Sequence, residues 1–142
     1  MAAITLTQAT AIVTAALKRA RETGCAPLTV AVLDDGGHLK AFAREDGSGI
    51  LRPQIATGKA WGALGMGVGT RALAKRLADN PQQHPFFTAL AGMSEGRVVP
   101  VPGGVLVRDP RFRHDLTACS RTVAPRALTR RAASPRARTA AC

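Results

Sequence analysis

The amino-acid composition of this 142-residue chain changes abruptly near residue 109. All 14 glycines and all four lysines lie before residue 105, whereas residues 110–142 contain eight arginines, eight alanines and no glycine. The arginine-rich part has no sustained helix-like or strand-like periodicity, so it offers no continuous apolar face to bury. We expect one folded domain over residues 1–109 and a mostly disordered tail over residues 110–142.

The charge follows the same division. Residues 1–109 carry twelve basic and eight acidic side chains, whereas residues 110–142 carry eight arginines and a single acidic residue, Asp115. A net charge of +11 would by itself suggest a nucleic-acid partner, bound through the tail in a salt-sensitive and sequence-independent way. The tail has one aromatic residue, Phe112, and therefore no stacking platform for bases. This composition argues against nucleic acid as a partner.

Neither a membrane span nor a secretion signal is evident. No segment approaches the roughly 18 consecutive apolar residues of a membrane-spanning helix, and residues 1–20 lack the pattern of a cleaved signal. The three cysteines, Cys25, Cys119 and Cys142, match no zinc or redox spacing, and their odd number argues against a closed set of disulfides. We expect a cytoplasmic protein in a reducing environment.

Helical and strand patterns alternate over the first 109 residues. The stretch "LTQATAIVTAALKRARETG" predicts a helix capped by Thr5 or Thr7 and ended by Gly24. The runs "PLTVAVLD" and "HLKAFAR", joined by "DGG", predict a β-hairpin. Three further helical segments follow, the second of them with Thr70 as its predicted cap, and "GRVVPVPGGVLVRD" predicts a strand, a turn and another strand. Together these elements indicate an α+β domain.

Five glycines crowd residues 58–69, in the helix predicted to start near Pro53. Each costs about 0.8–1 kcal/mol relative to alanine in a helix interior. Close backbone packing against a sheet or a second subunit would offset this cost, and so would a ligand lying on bare backbone; the two interpretations are compatible. Trp61 and Met66 fit core or interface anchors, and would also suit the apolar wall of a site for a flat macrocycle.

The sequence contains no nucleophile elbow, phosphate-binding loop or paired histidines at metal spacing. His38 follows the "DGG" turn, where it is either a solvated residue or a neutral imidazole presented to a metal ion or haem iron. Arg44, Arg52 and Lys59 flank the loop "EDGSG". Each alone fits a solvated surface, but together they would pair with the carboxylates of an anionic ligand such as haem propionates.

Three ordered motifs carry a family resemblance: "LTVAVLDDGGHLKAFAREDGS", "IATGKAWGALGMG" and "GRVVPVPGGVLV". They resemble the haem-binding and haem-degrading family that includes GlcG, the secreted haem-binding protein of streptomycetes and the C-terminal domain of PduO-type adenosyltransferases. The resemblance implies an antiparallel sheet of about four to five strands flanked by helices, and assembly into homo-oligomers. It implies haem or a related tetrapyrrole as cofactor, and adds Gly103 and Gly104 to the candidate cofactor-binding residues His38, Arg44, Arg52 and Lys59. The position of His38 after the glycine turn, rather than the resemblance, makes it the candidate metal ligand.

Members of this family normally continue into one more strand and a C-terminal helix, and the sequence after residue 109 resembles neither. An arginine-, alanine- and proline-rich tail is typical of a GC-rich gene read out of frame, so we hypothesise a frameshift near codon 109. Loss of a strand and a helix would expose a sheet edge and an apolar face. We therefore expect an unstable or aggregation-prone chain, or one that depends on oligomerisation.

Family resemblance does not by itself make the protein an enzyme. The leading interpretation is a haem-binding protein that supports oxidative haem degradation, in which iron and an oxidant supply the reactivity and the protein supplies orientation. The alternative is a non-catalytic accessory or assembly protein of a metabolic operon, such as one for glycolate utilisation.

Overall fold

The structure is a computed structural model that describes residues 4–108 and the backbone of residues 116–123. The described residues form four helices and four strands. In chain order these are α1 (Leu6–Glu22), β1 (Leu28–Leu33), β2 (Leu39–Arg44), α2 (Arg52–Met66), α3 (Thr70–Asp79), α4 (His84–Met93), β3 (Gly104–Arg108) and β4 (Leu116–Val123). The predicted α+β class, with four antiparallel strands and flanking helices, is confirmed.

One antiparallel sheet separates α1 from α2. The strand order is β2-β1-β4-β3, and every neighbouring pair is antiparallel. All six residues of β1 are buried, because this strand has a neighbour on each side and a helix on each face. Alternate residues of β1 therefore face different helices: Leu28, Val30 and Val32 pack with α1, whereas Leu33 packs with α2.

The first helix and the hairpin form as the sequence predicts. Thr5 is the N-cap of α1, and it forms a reciprocal capping box with Gln8. Gly37, in the turn between β1 and β2, has a φ of +80°, a conformation that glycine adopts without strain. Local turn and cap chemistry is thus sufficient to set both elements.

The sheet has four strands, the lower end of the four to five expected, which is consistent with the predicted loss of a strand. Residues 116–123 form β4, which lies between β1 and β3 and pairs with both. The edge of β1 presents a row of backbone donors and acceptors, and an extended segment satisfies them whatever its side chains. Eight residues of the segment expected to be disordered thus pair with the sheet. The predicted loss of the C-terminal helix concerns residues 124–142, which lie outside the described residues, and the frameshift stays a prediction.

Two local predictions are wrong. Gly69, not Thr70, is the N-cap of α3, because the Thr70 hydroxyl is engaged with Gly104 instead, accepting from its amide at 2.8 Å. Residues 97–103 form no strand. Pro100 and Pro102 lack the amide hydrogens that a ladder requires, and the segment packs on α2, where the Val99 amide donates to the Gly58 carbonyl at 3.3 Å.

Candidate functional site

A groove of about 470 Å³ runs along the outer side of α2. Its walls are the first three turns of α2, the β1–β2 turn and the segment that follows α4. The lining residues are Gly37, Pro53, Gln54, Thr57, Gly58, Trp61, Glu95, Gly96 and Arg97. Gln54, Thr57, Gly58 and Trp61 recur at helical spacing, so one face of α2 supplies one wall.

Trp61 is the largest side chain in the groove, and it rests on the β1–β2 turn. A Cβ atom at Gly37 would lie 3.0 Å from the indole Nε1, so a larger residue there would push the ring away. The positive φ of Gly37 and this close approach both require glycine. The turn therefore fixes where the indole sits.

Arg97 covers the indole on the other side of the groove. Its guanidinium carbon lies 4.7 Å from the centre of the Trp61 ring, within the range of a cation–π interaction. The Arg97 Nε donates to the Ser94 carbonyl at 3.1 Å. The chain reverses just before Arg97, through Glu95 and Gly96, which both have positive φ. The end of α4 thus positions this arginine against α2.

The glycines of α2 serve mainly to bring the next segment close. A Cβ atom at Gly58 would lie 2.6 Å from Val99 Cγ2, and one at Gly62 would lie 3.2 Å from Val98 Cγ1. Close backbone packing thus accounts for these two residues. Gly58 also borders the groove, so the same bare backbone is accessible to a ligand.

His38 directly follows Gly37 at one end of the groove, and its imidazole is 82% exposed. Its Nδ1 lies 3.4 Å from Asp34 Oδ1, which also accepts hydrogen bonds from the amides of Gly36 and His38. The hydrogen bond from the His38 amide is the main cause that lowers the pKa of Asp34 below its ordinary value, so the carboxylate stays ionised. An ionised carboxylate beside Nδ1 leaves Nε2 as the nitrogen available to a ligand.

Lys59 and Arg52 lie seven residues apart on one flank of α2, and neither lines the groove. Lys59 is 7% exposed, and burial followed by repulsion from Arg52 lowers the pKa of its ammonium. Among the described side chains no carboxylate forms an ion pair with Lys59. These two cations form a separate feature outside the groove lining.

Gly104 packs against the backbone of Lys59. A Cβ atom there would lie 2.3 Å from the carbonyl oxygen of Lys59, so the absence of a side chain lets β3 approach α2. Gly103, with a φ of +134°, precedes it outside the groove lining. The contacts of Gly104 are explained by packing, and ligand contact by either glycine stays a prediction.

Arg44 lies at the far end of β2 from His38. The two are about 20 Å apart, from the length of the strand between them. Arg44 borders a second depression together with Arg21, Glu45 and Asp46. Here Arg21 Nε pairs with Glu45 Oε1 at 3.0 Å, and Glu45 Oε2 accepts from the Leu28 amide. This depression already contains its own charge partners, and its central ion pair joins α1 to the sheet.

The structure thus brings one predicted site residue, His38, next to the groove, and places the five others elsewhere. Sequence reasoning identified Trp61 as a possible wall but missed Arg97, because nothing in the local pattern around residue 97 signals a contact with α2. Within residues 4–108 no group of three or more His, Cys, Asp or Glu side chains could hold a metal ion. None of the described helices is long and apolar enough to cross a membrane.

Known proteins share this fold. The structure superposes on protein ORFY of Klebsiella pneumoniae with a TM-score of 0.73 and 24% identity, over 86% of this chain and 79% of that chain. A double mutant of HbpS from Streptomyces reticuli superposes with a TM-score of 0.70 and 27% identity, over 88% of this chain and 77% of that chain. A PduOC–haem complex superposes with a TM-score of 0.65 and 24% identity, over 80% of this chain and 77% of that chain. The comparison with curated proteins finds no significant match. The sequence model of the family described as "Haem degrading protein HbpS-like" matches residues 4–113, and the chain therefore belongs to that family.

Proposed function

We propose that this protein binds haem or a related tetrapyrrole in the groove formed by α2, the β1–β2 turn and residues 95–97. The observation that carries the proposal is the juxtaposition of the Trp61 indole, the Arg97 guanidinium and the adjacent His38. Membership of the HbpS-like family and the structural likeness to a PduOC–haem complex support the same ligand class.

The residues present fit such a ligand. The groove volume of about 470 Å³ lies within the range of small-molecule sites. An indole offers a flat apolar contact for a macrocycle, and an exposed imidazole whose Nδ1 faces a carboxylate is suited to donate Nε2 to iron. Bound haem would supply redox-active iron, and opening of the macrocycle would need an external oxidant. The chain's own residues bind and orient the ligand.

Titration with haem tests the proposal. We expect a saturable shift of the Soret band in the wild type, and a changed spectrum of the bound form in His38→Ala, because the imidazole that would hold the iron is lost. His84→Ala, at the start of α4, is the matched control and should keep the wild-type spectrum. An unchanged spectrum in His38→Ala would remove His38 from the site. The absence of any saturable shift would contradict haem binding and favour the accessory role.

We also propose that the chain forms homo-oligomers in the cytoplasm. Ile50 and Leu51, adjacent to each other before α2, are 81% and 64% exposed, and exposed apolar side chains of this size support a subunit interface. Cys25 is a free thiol among the described side chains, and a reducing compartment would keep it so. Light scattering should give a mass that is a multiple of the chain mass, and Ile50→Ser should lower the measured mass. A wild type that stays monomeric at all concentrations would contradict the assembly.

A further inference from the structure

Arg97 is held in a fixed orientation at the edge of the groove. Its guanidinium stacks on the Trp61 ring at 4.7 Å, while its Nε is bound to the Ser94 carbonyl at 3.1 Å. These two contacts restrain the position of the group. An arginine ordered in this way before binding loses less conformational entropy when a ligand arrives.

Most of the hydrogen-bonding capacity of Arg97 remains unused. A guanidinium carries five N–H donors and keeps its charge at every physiological pH, and only the Nε donor is engaged here. Among the side chains of residues 4–108, no carboxylate forms an ion pair with Arg97, although Glu95 is only two residues away. The groove is therefore lined by a cation whose two terminal nitrogens have no described acceptor.

The other cations do not compete for this role within the groove. Arg52 and Lys59 lie outside the groove lining, and Arg44 borders the depression that contains Glu45 and Asp46. Arg97 is thus the single basic side chain that lines the groove among the described residues. A planar fork of two N–H donors matches a carboxylate, which accepts both hydrogen bonds side by side.

From this geometry we infer that Arg97 is the carboxylate anchor of the groove. The inference rests on the proposed function and narrows it: the site takes a flat ligand that carries a free carboxylate, with the ring system beside Trp61 and the acid group on the terminal nitrogens of Arg97. The protein then distinguishes porphyrins with free propionates from porphyrins whose propionates are esterified, because an ester has no negative charge.

Metal-free porphyrins test this inference without any contribution from iron. Protoporphyrin IX and its dimethyl ester are titrated, by absorbance and in the same co-solvent, into the wild type, Arg97→Gln and Arg71→Gln. Arg71 is exposed on α3 outside the groove lining and serves as the matched control. We expect the wild type to bind the free acid about tenfold to a hundredfold more tightly than the ester. Arg97→Gln should lose this preference, whereas Arg71→Gln should keep it.

Two results would overturn the anchor. One is equal affinity of the wild type for acid and ester; the other is wild-type affinity of Arg97→Gln for the free acid. In both cases the groove would still bind porphyrin, and the proposed function would survive. If the wild type binds neither compound, nor haem, the proposed function fails together with the anchor. Circular dichroism verifies that Arg97→Gln is folded, as expected for an exposed side chain whose main-chain bond to Ser94 is retained.

Discussion

Replacement of Gly104 by alanine tests how closely β3 is packed against α2. An alanine Cβ would lie 2.3 Å from the carbonyl oxygen of Lys59, 2.8 Å from its carbonyl carbon and 2.9 Å from Thr70 Cγ2. Two of these atoms belong to the backbone of a buried helix turn. Thr70 is itself held by its hydrogen bond from the Gly104 amide. None of the three can move without shifting the helix or breaking that bond.

The expected cost follows from these contacts. Overpacking of a closely packed interior destabilises proteins by about 1–3 kcal/mol, and backbone clashes fall at the upper end of that range. For a domain of this size, about 3 kcal/mol corresponds to a decrease in melting temperature of roughly 10 °C. Gly104→Ala should therefore have a melting temperature well below that of the wild type.

Thermal unfolding followed by circular dichroism measures the effect. Gly65→Ala is the matched control, because Gly65 lies in α2 with no atom within 4 Å of an added Cβ. This substitution should stabilise the protein by about 0.5–1 kcal/mol, since alanine is the better helix former. A Gly104→Ala protein that melts with the wild type would refute the packing argument. Wild-type melting combined with lost haem binding would instead support the ligand contact predicted for Gly104.

Three other substitutions test the ionised groups. Glu45→Gln removes the ion pair with Arg21 that joins α1 to the sheet, and should cost about 1–3 kcal/mol in urea denaturation; an unchanged midpoint would contradict this role. The folded-state pKa of Asp34 lies below 3.8, so its stabilising contribution is complete above that value and is lost as the pH falls through the lowered pKa. The melting temperature of Asp34→Asn should accordingly lie closer to that of the wild type in acid than at neutral pH. An equal difference in melting temperature at both pH values would contradict a stabilising role of the Asp34 carboxylate. The folded-state pKa of Lys59 lies below 10.5, so the stability of the wild type should rise as the pH increases from this lowered pKa toward 10.5. Lys59→Met should raise the melting temperature at neutral pH and should not show this rise in stability with pH. A lower melting temperature of Lys59→Met would show that the ammonium has a stabilising partner.

The sequence predicts those parts of the fold that depend on local chemistry. The apolar run of β1, the glycine turn and the alternation in β2 identify the hairpin, and Thr5 marks the start of α1. Likewise, the cost of glycines in α2 correctly indicates close packing, which Gly58 provides. Each of these signals involves residues near one another in the chain.

The remaining features depend on distant contacts. The strand β4 was missed because its side-chain pattern is weak, and its place in the sheet is set by the unpaired edges of β1 and β3 rather than by its own residues. Arg97 was missed for a similar reason, since only the turn after α4 brings it over Trp61. The sequence placed Arg52 and Lys59 with Arg44 around one loop; in the structure Arg52 is close enough to Lys59 to lower its pKa, and neither residue lines the groove.

The central claim is that a tetrapyrrole binds against Trp61, and the position of the bound ring can be measured directly. Trp61 is the only tryptophan of the chain, so its indole N–H gives a single, unambiguous signal in a ¹⁵N–¹H NMR spectrum. Saturation with a diamagnetic zinc porphyrin should move this signal strongly through the ring current of the macrocycle. A saturable change in the Soret band that leaves the indole signal in place would show that the ligand binds elsewhere, and would contradict the account.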